Sequence, residues 1–148
     1  MTQHGRGKIP TMRLDHVAHT CRDPHATHRF YHDVLGLKLG QAYSGRELML
    51  VYELPGGGSL AFTTAPGCVP MVADEASWER RHLGLTVNTR EEFDSSLQRL
   101  RESGINYRLV ESERLYFSDP DGLVLEIEVA SPTAPNPKAA EILTGWRR

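Results

Sequence analysis

Residues 16–21 read HVAHTC and residues 82–87 read HLGLTV. Each opens on a histidine and then alternates its side chains as a strand does. Val17, His19 and Cys21 share one face of the first segment; Leu83, Leu85 and Val87 occupy the same positions in the second. That puts His19 on the core-facing side and leaves His16 and His82 on the opposite face. Gly57–Phe62 likewise overlays Gly122–Ile127. The two pairs are offset by 66 and 65 residues, so one indel lies between them. Around both copies the order is strand, helix and three strands. An internal repeat of this kind sets the fold. The expected class is α+β, with two tandem βαβββ modules forming a cupped mixed sheet.

The first module is expected over residues 12–64. Asp23 is suited to cap a helix and Pro24 to occupy its first position. The helix should run to about Leu35, with Thr27, Phe30 or Tyr31, and Val34 on its inner stripe, and stop at Gly36. Strands follow from Leu37, over Glu47–Leu54 and, past the Pro55-Gly56-Gly57-Gly58 turn, over Ser59–Thr64. That glycine run lacks the following helix and Lys-Ser/Thr of a phosphate loop. Residues 65–80 have no clean period and read as a linker, with one helical turn near Glu75–Glu79.

The second module is expected over residues 81–130. Thr89 with Glu92 makes a capping box, and Phe93, Leu97 and Leu100 form the apolar stripe of the helix behind it. The last hairpin, YFSDPDGLVLEIEV at 116–129, turns at Ser118–Gly122, where Pro120 presets φ and Gly122 accepts a positive one. Residues 1–11 read as a loose polar arm. Residues 131–148 read as a proline-rich linker and a short helix that docks through Ile142, Leu143 and Trp146.

Composition narrows the function classes. A chain of 148 residues with 39% hydrophobic and 24% charged side chains suits one compact soluble domain or two fused halves. A formal charge of −2, with both signs interspersed, offers no electrostatic footprint for nucleic acid or an acidic membrane. No apolar run approaches the ~18 residues of a membrane span, and the polar start lacks the apolar run of a signal peptide. Two cysteines, Cys21 and Cys68, are too few for a disulfide framework, so a cytoplasmic, reduced protein is expected. His4, His25, His28 and His32 fall in polar or helix-surface contexts and are expected to be solvated.

Three residues stand out by their place in the repeat. His16 and His82 are equivalent, and Glu126 puts a carboxylate in mid-strand between Leu125 and Ile127, where the first module has Ala61. If both modules curl alike, the three project into one cavity. Two imidazoles and a carboxylate make a facial ligand set for a divalent cation and leave about three octahedral positions open. Glu128 shares the face of Glu126 but sits nearer the rim.

The segments RLDHVAHTCRD, FYHDVLGLKL, HLGLTV and YFSDPDGLVLEIEV resemble the vicinal oxygen chelate superfamily, which includes glyoxalase I, extradiol dioxygenases and fosfomycin- and bleomycin-resistance proteins. The resemblance covers about Met12 to Val129. It implies one divalent metal held by His16, His82 and Glu126, with Fe(II) favoured and Zn, Mn, Ni or Co as alternatives. A glyoxalase I-type fourth ligand would stand at Ala61, so a three-ligand site is favoured.

The implied activity is metal-dependent chemistry on a small molecule that chelates through adjacent oxygens. A dioxygenase-type oxidoreductase is favoured over a glyoxalase-like lyase or isomerase, a fosfomycin-type transferase, or a non-catalytic ligand-sequestering protein. Tyr116 and Tyr52 are candidate acid/base residues. Arg46 and Arg114 are candidates for an anionic substrate group, and Ala61 lines the pocket. The resemblance also implies a homodimer, with the site either within one chain or shared so that the two histidines come from different chains.

Overall fold

The computed structural model describes residues 10–65, 67–68 and 74–146. Most of the expected N-terminal arm, part of the linker and the final Arg147-Arg148 lie outside those residues. The repeat is realised as two four-stranded mixed sheets. The first contains β1 (His16–Cys21), β2 (Lys38–Ser44), β3 (Leu48–Glu53) and β4 (Ser59–Thr64), in the order β1-β4-β3-β2. The second contains β5 (Leu83–Val87), β6 (Tyr107–Val110), β7 (Arg114–Ser118) and β8 (Val124–Val129), in the order β5-β8-β7-β6. In each, the first strand pairs parallel with the last and the other pairs are antiparallel.

The first helix, α1 (Pro24–His28), is capped by Asp23, whose carboxylate accepts from the His25 and Ala26 amides. Over Arg29–Val34 it widens into a π turn, and the Leu35 amide reaches back five residues to the Phe30 carbonyl at 3.0 Å. The sequence pattern left a choice between Phe30 and Tyr31 for the inner stripe. Regular helical neighbours point roughly 100° apart, whereas here both rings are buried. Phe30 reaches Phe117 of β7, and Tyr31 stacks on Phe62 of β4 at 4.4 Å between centroids. The helix ends at Gly36 with φ +76°. The second helix, α2 (Arg90–Glu102), carries both hydrogen bonds of its capping box and buries Phe93, Leu97 and Leu100.

One apolar core joins the modules. Cys21, Phe30, Tyr31, Leu50, Tyr52, Leu60 and Phe62 of the first pack with Phe93, Leu97, Leu115, Phe117, Leu125 and Ile127 of the second. A polar clamp reinforces it. The Tyr31 hydroxyl donates to Asp119 Oδ2 at 2.8 Å. The Arg22 backbone amide and Nε both donate to Asp121 Oδ1, at 3.2 and 3.0 Å. The Asp119 Oδ1 atom also accepts the Asp121 and Leu123 amides, which fixes the β7–β8 turn, and Gly122 sits at φ +88°.

The C-terminal helix, α3 (Ala139–Gly145), departs from expectation. Ile142, Leu143 and Trp146 are 59%, 76% and 65% exposed, so its apolar side does not dock on this chain. The preceding proline-rich stretch is exposed throughout residues 130–138 and does not pull the helix onto either sheet. Among the described residues no helix is long and apolar enough to cross a membrane.

Candidate functional site

Strand parity decides which side chains share a face. In β5, Leu83, Leu85 and Val87 turn toward the shared core, so Gly84 and Thr86 turn the other way. Gly84 registers with Glu126, and Tyr116 registers with Glu126 from the opposite side. His82, just before β5, continues the Gly84 face. The result is a cluster of His82, Tyr116 and Glu126 on the side of the second sheet that faces away from the core.

Trp78 covers this cluster. It follows the 3₁₀ turn Glu75–Ser77, is 5% exposed, and packs on Tyr116 and Val124, with Val110 at the edge. Arg108 holds the turn in place by donating to the Glu75 carbonyl and the Glu79 carboxylate. Sequence periodicity missed Trp78, because a segment pinned by one aromatic and one ion pair has no repeat to detect. A large aromatic alone in an otherwise aperiodic, polar linker was the available signal.

The geometry at His82 fixes its chemistry. Its Nδ1 lies 2.9 Å from the Trp78 carbonyl oxygen. A carbonyl can only accept, so Nδ1 carries the proton, and the neutral ring keeps its lone pair on Nε2. That atom lies 3.5 Å from Glu126 Oε2. The separation is too long for a good hydrogen bond, and two lone-pair donors face one another across it. A proton on the ring or a cation between them satisfies both. Glu126 is buried to 7% exposure, and Tyr116 is its register partner on β7. Burial first, and then the Glu126 carboxylate, push the Tyr116 phenol up to about 12, so it is a proton donor at neutral pH. The His82 and Tyr116 rings meet edge to face at 5.2 Å.

The remaining expected residues divide by location. His16 is exposed at the start of β1, with Nδ1 2.9 Å from Asp15 Oδ2, which again leaves Nε2 as the lone-pair atom. His16 does not join His82 and Glu126 in one ligand cluster: among the described residues, the only three-residue set within 4.8 Å is His28, His32 and Asp33. His16 and Leu83-Gly84-Leu85 do line one small cavity of about 80 Å³ where β1 runs near β5.

Ala61 lies on the His16 face of its sheet, beside Ala18 and Val51. Tyr52 lies on the other face, fully buried in the shared core, with its hydroxyl 3.0 Å from His28 Nδ1. Arg114 interacts with the Tyr116 hydroxyl and donates to Glu111 Oε2 at 3.3 Å. Arg46 is exposed in the β2–β3 turn. Glu128 is half-buried at the end of the cluster, registered with Arg114 and Thr86.

Comparison with known proteins follows the same lines. The family profile of the Glyoxalase/Bleomycin resistance protein/Dioxygenase superfamily matches residues 13–127. No curated protein matches the chain significantly. Among solved structures, Oxidase ChaP-H2 is 26% identical, with a TM-score of 0.63 over 86% of this chain and 100% of that one. A glyoxylase/bleomycin resistance protein/dioxygenase domain from Frankia sp. EAN1pec is 24% identical, with a TM-score of 0.67 over 82% and 100%. The fosfomycin resistance protein FosX from Listeria monocytogenes is 15% identical, with a TM-score of 0.65 over 80% and 92%. The last two show likeness of fold.

Proposed function

Since the chain belongs to the Glyoxalase/Bleomycin resistance protein/Dioxygenase superfamily, we propose that it is a divalent-metal-dependent enzyme. Its substrate class is a small molecule that chelates the metal through adjacent oxygens, and the favoured reaction is a dioxygenase-type oxidation. The observation that carries this reading is the His82 Nε2 lone pair facing the Glu126 carboxylate at 3.5 Å, with His82 Nδ1 committed to the Trp78 carbonyl. Ligating histidines typically have the second ring nitrogen held this way. His82, Glu126 and His16 are the residues that would hold the ion. Two imidazoles and one carboxylate with open positions suit Fe(II), and Zn, Mn, Ni or Co also fit the donor set. The 26% identical structure bears the name oxidase, which favours oxygen chemistry.

When bound, the ion supplies Lewis-acid polarisation of the substrate oxygens. The protein's own contribution is positional and protonic. Tyr116 stands beside Glu126 in strand register and shields the carboxylate on that side. Its proton, held to about 12, is available to an oxygen that gains charge during reaction. Arg114, beside the Tyr116 hydroxyl, adds positive charge at the rim, and Trp78 keeps bulk water from that side of the cluster. Ala61 contributes no ligand, which leaves open positions for substrate.

His16 reaches the site from a second copy of the chain. Both ligand-bearing faces lie on the sides of their sheets opposite to the shared core, which is consistent with closure of the cup between two molecules. Protein purified without oxygen should carry about one divalent ion per site. H16A and E126A should each lose it. Mixing the two variants and allowing subunits to exchange should restore part of the metal content, because one site of each mixed dimer regains all three ligands. An ion that survives H82A and E126A would refute the ligand set. A mixture that stays metal-free would place the whole site within one chain.

A further inference from the structure

We infer that His28, His32 and Asp33 form a second transition-metal site on α1 and its π turn, separate from the His82–Glu126 cluster. One ligand atom from each of the three lies within 4.8 Å of the others. In a regular helix Asp33, five residues after His28, would point about 140° away from it. The widened turn over Arg29–Val34 brings positions four and five residues on to the same side as His28. The same distortion that buries both Phe30 and Tyr31 therefore gathers two imidazoles and a carboxylate on the outside.

The rings already lie side by side. The His28 and His32 imidazoles stack with centroids 4.8 Å apart and planes 13° from parallel. His32 Nδ1 donates to the Leu37 carbonyl at 2.9 Å, so its lone pair is on Nε2. His28 Nδ1 lies 3.0 Å from the Tyr52 hydroxyl, which accepts from it when Nε2 takes a metal. Both rings are thus anchored through the nitrogen that would not ligate, the arrangement that orients metal-binding histidines. Two imidazoles and one carboxylate suit Zn²⁺, Ni²⁺, Co²⁺ or Cu²⁺, whereas Mg²⁺ and Ca²⁺ prefer all-oxygen sets. Three protein donors leave a position for water or an external ligand. The site sits on the outer side of α1 and its π turn, and Tyr52 behind His28 belongs to β3. An ion there would tie the π turn to β3 through the His28–Tyr52 bond, away from the proposed chemistry.

Zn²⁺ itself is the probe, titrated into metal-free full-length protein against a chromophoric chelator. The H82A background separates this site from the proposed catalytic one. H82A should still bind one Zn²⁺ per chain, and sub-stoichiometric Zn²⁺ should shift the ring ¹⁵N resonances of His28 and His32. H82A/H32A should bind at least tenfold more weakly, with an unchanged circular dichroism spectrum, because His32 is exposed. Y52F should keep the site and weaken it by about 10–100-fold, as loss of a partner behind a ligating histidine does. Mg²⁺ should not compete. No Zn²⁺ binding by H82A, or equal binding by H82A and H82A/H32A, would overturn the site and leave the His82–Glu126 proposal untouched.

Discussion

Replacing Tyr31 with phenylalanine removes one oxygen from the clamp between the modules and leaves the aromatic packing in place. The Tyr31 ring stacks on Phe62 and is fully buried. Its hydroxyl donates to Asp119 Oδ2 at 2.8 Å. The carboxylate keeps the two backbone donors on Oδ1, so the β7–β8 turn should persist while Oδ2 loses its buried partner. Hydrogen bonds to charged groups contribute about 1.5–3 kcal/mol, and the expected loss is about 2 kcal/mol. For a domain of this size that is a fall in Tm of roughly 4–8 °C. Urea unfolding should show a lower midpoint with an unchanged slope, because the area exposed on unfolding is the same.

The pH dependence gives a second readout. Burial raises the Asp119 carboxyl above its ordinary 3.8, and the Tyr31 bond opposes that rise. The folded protein therefore takes up this proton more readily than the unfolded chain, and the group's contribution to stability falls as pH rises through the window above 3.8. Y31F raises the carboxyl further. Its stability deficit should be full at neutral pH, where Asp119 is ionised, and should shrink on acidification, where the protonated acid no longer needs a donor. A deficit under about 0.5 kcal/mol at neutral pH, below even a neutral hydrogen bond, would refute the reasoning. So would a deficit that grows as pH falls.

Alkaline titration tests the Tyr116–Glu126 contact. The folded phenol holds its proton to about 12 against an ordinary 10.0. The native state therefore binds more protons than the unfolded one between those values, and stability should fall as pH rises across that window; Y116F should show a shallower fall in thermal-melt series. T89A removes the acceptor for the Glu92 amide in the α2 capping box and should cost about 1 kcal/mol in chemical denaturation. A Cβ at Gly84 would sit 3.8 Å from Glu126 Oε1, so G84A should retain metal, whereas G84L should displace the carboxylate and lower the metal content by elemental analysis at near-unchanged Tm.

The repeat, the strand parities and the capping signals were local and periodic, and so were legible without coordinates. Two histidine-led strands of like pattern imply two like modules. Asp23-Pro24 and Thr89-x-x-Glu92 each act within one turn of helix, so neighbouring residues alone specify them. The pairing of His82 with Glu126 was also within reach, because strand alternation puts both on the face opposite the core. What the sequence could not show depended on groups far apart in the chain or on departures from ideal periods. Trp78 closes over Tyr116 because Arg108, thirty residues on, holds its turn. Tyr52 belongs to the core because its alternation sets it opposite Ala61, and its hydroxyl meets His28 only once α1 has packed on β3. The π turn that gathers His28, His32 and Asp33 answers the burial of two adjacent aromatic rings against two different sheets, a demand that exists only when both modules are in place. Local chemistry chose the elements and their faces; long-range packing chose which of those faces meet.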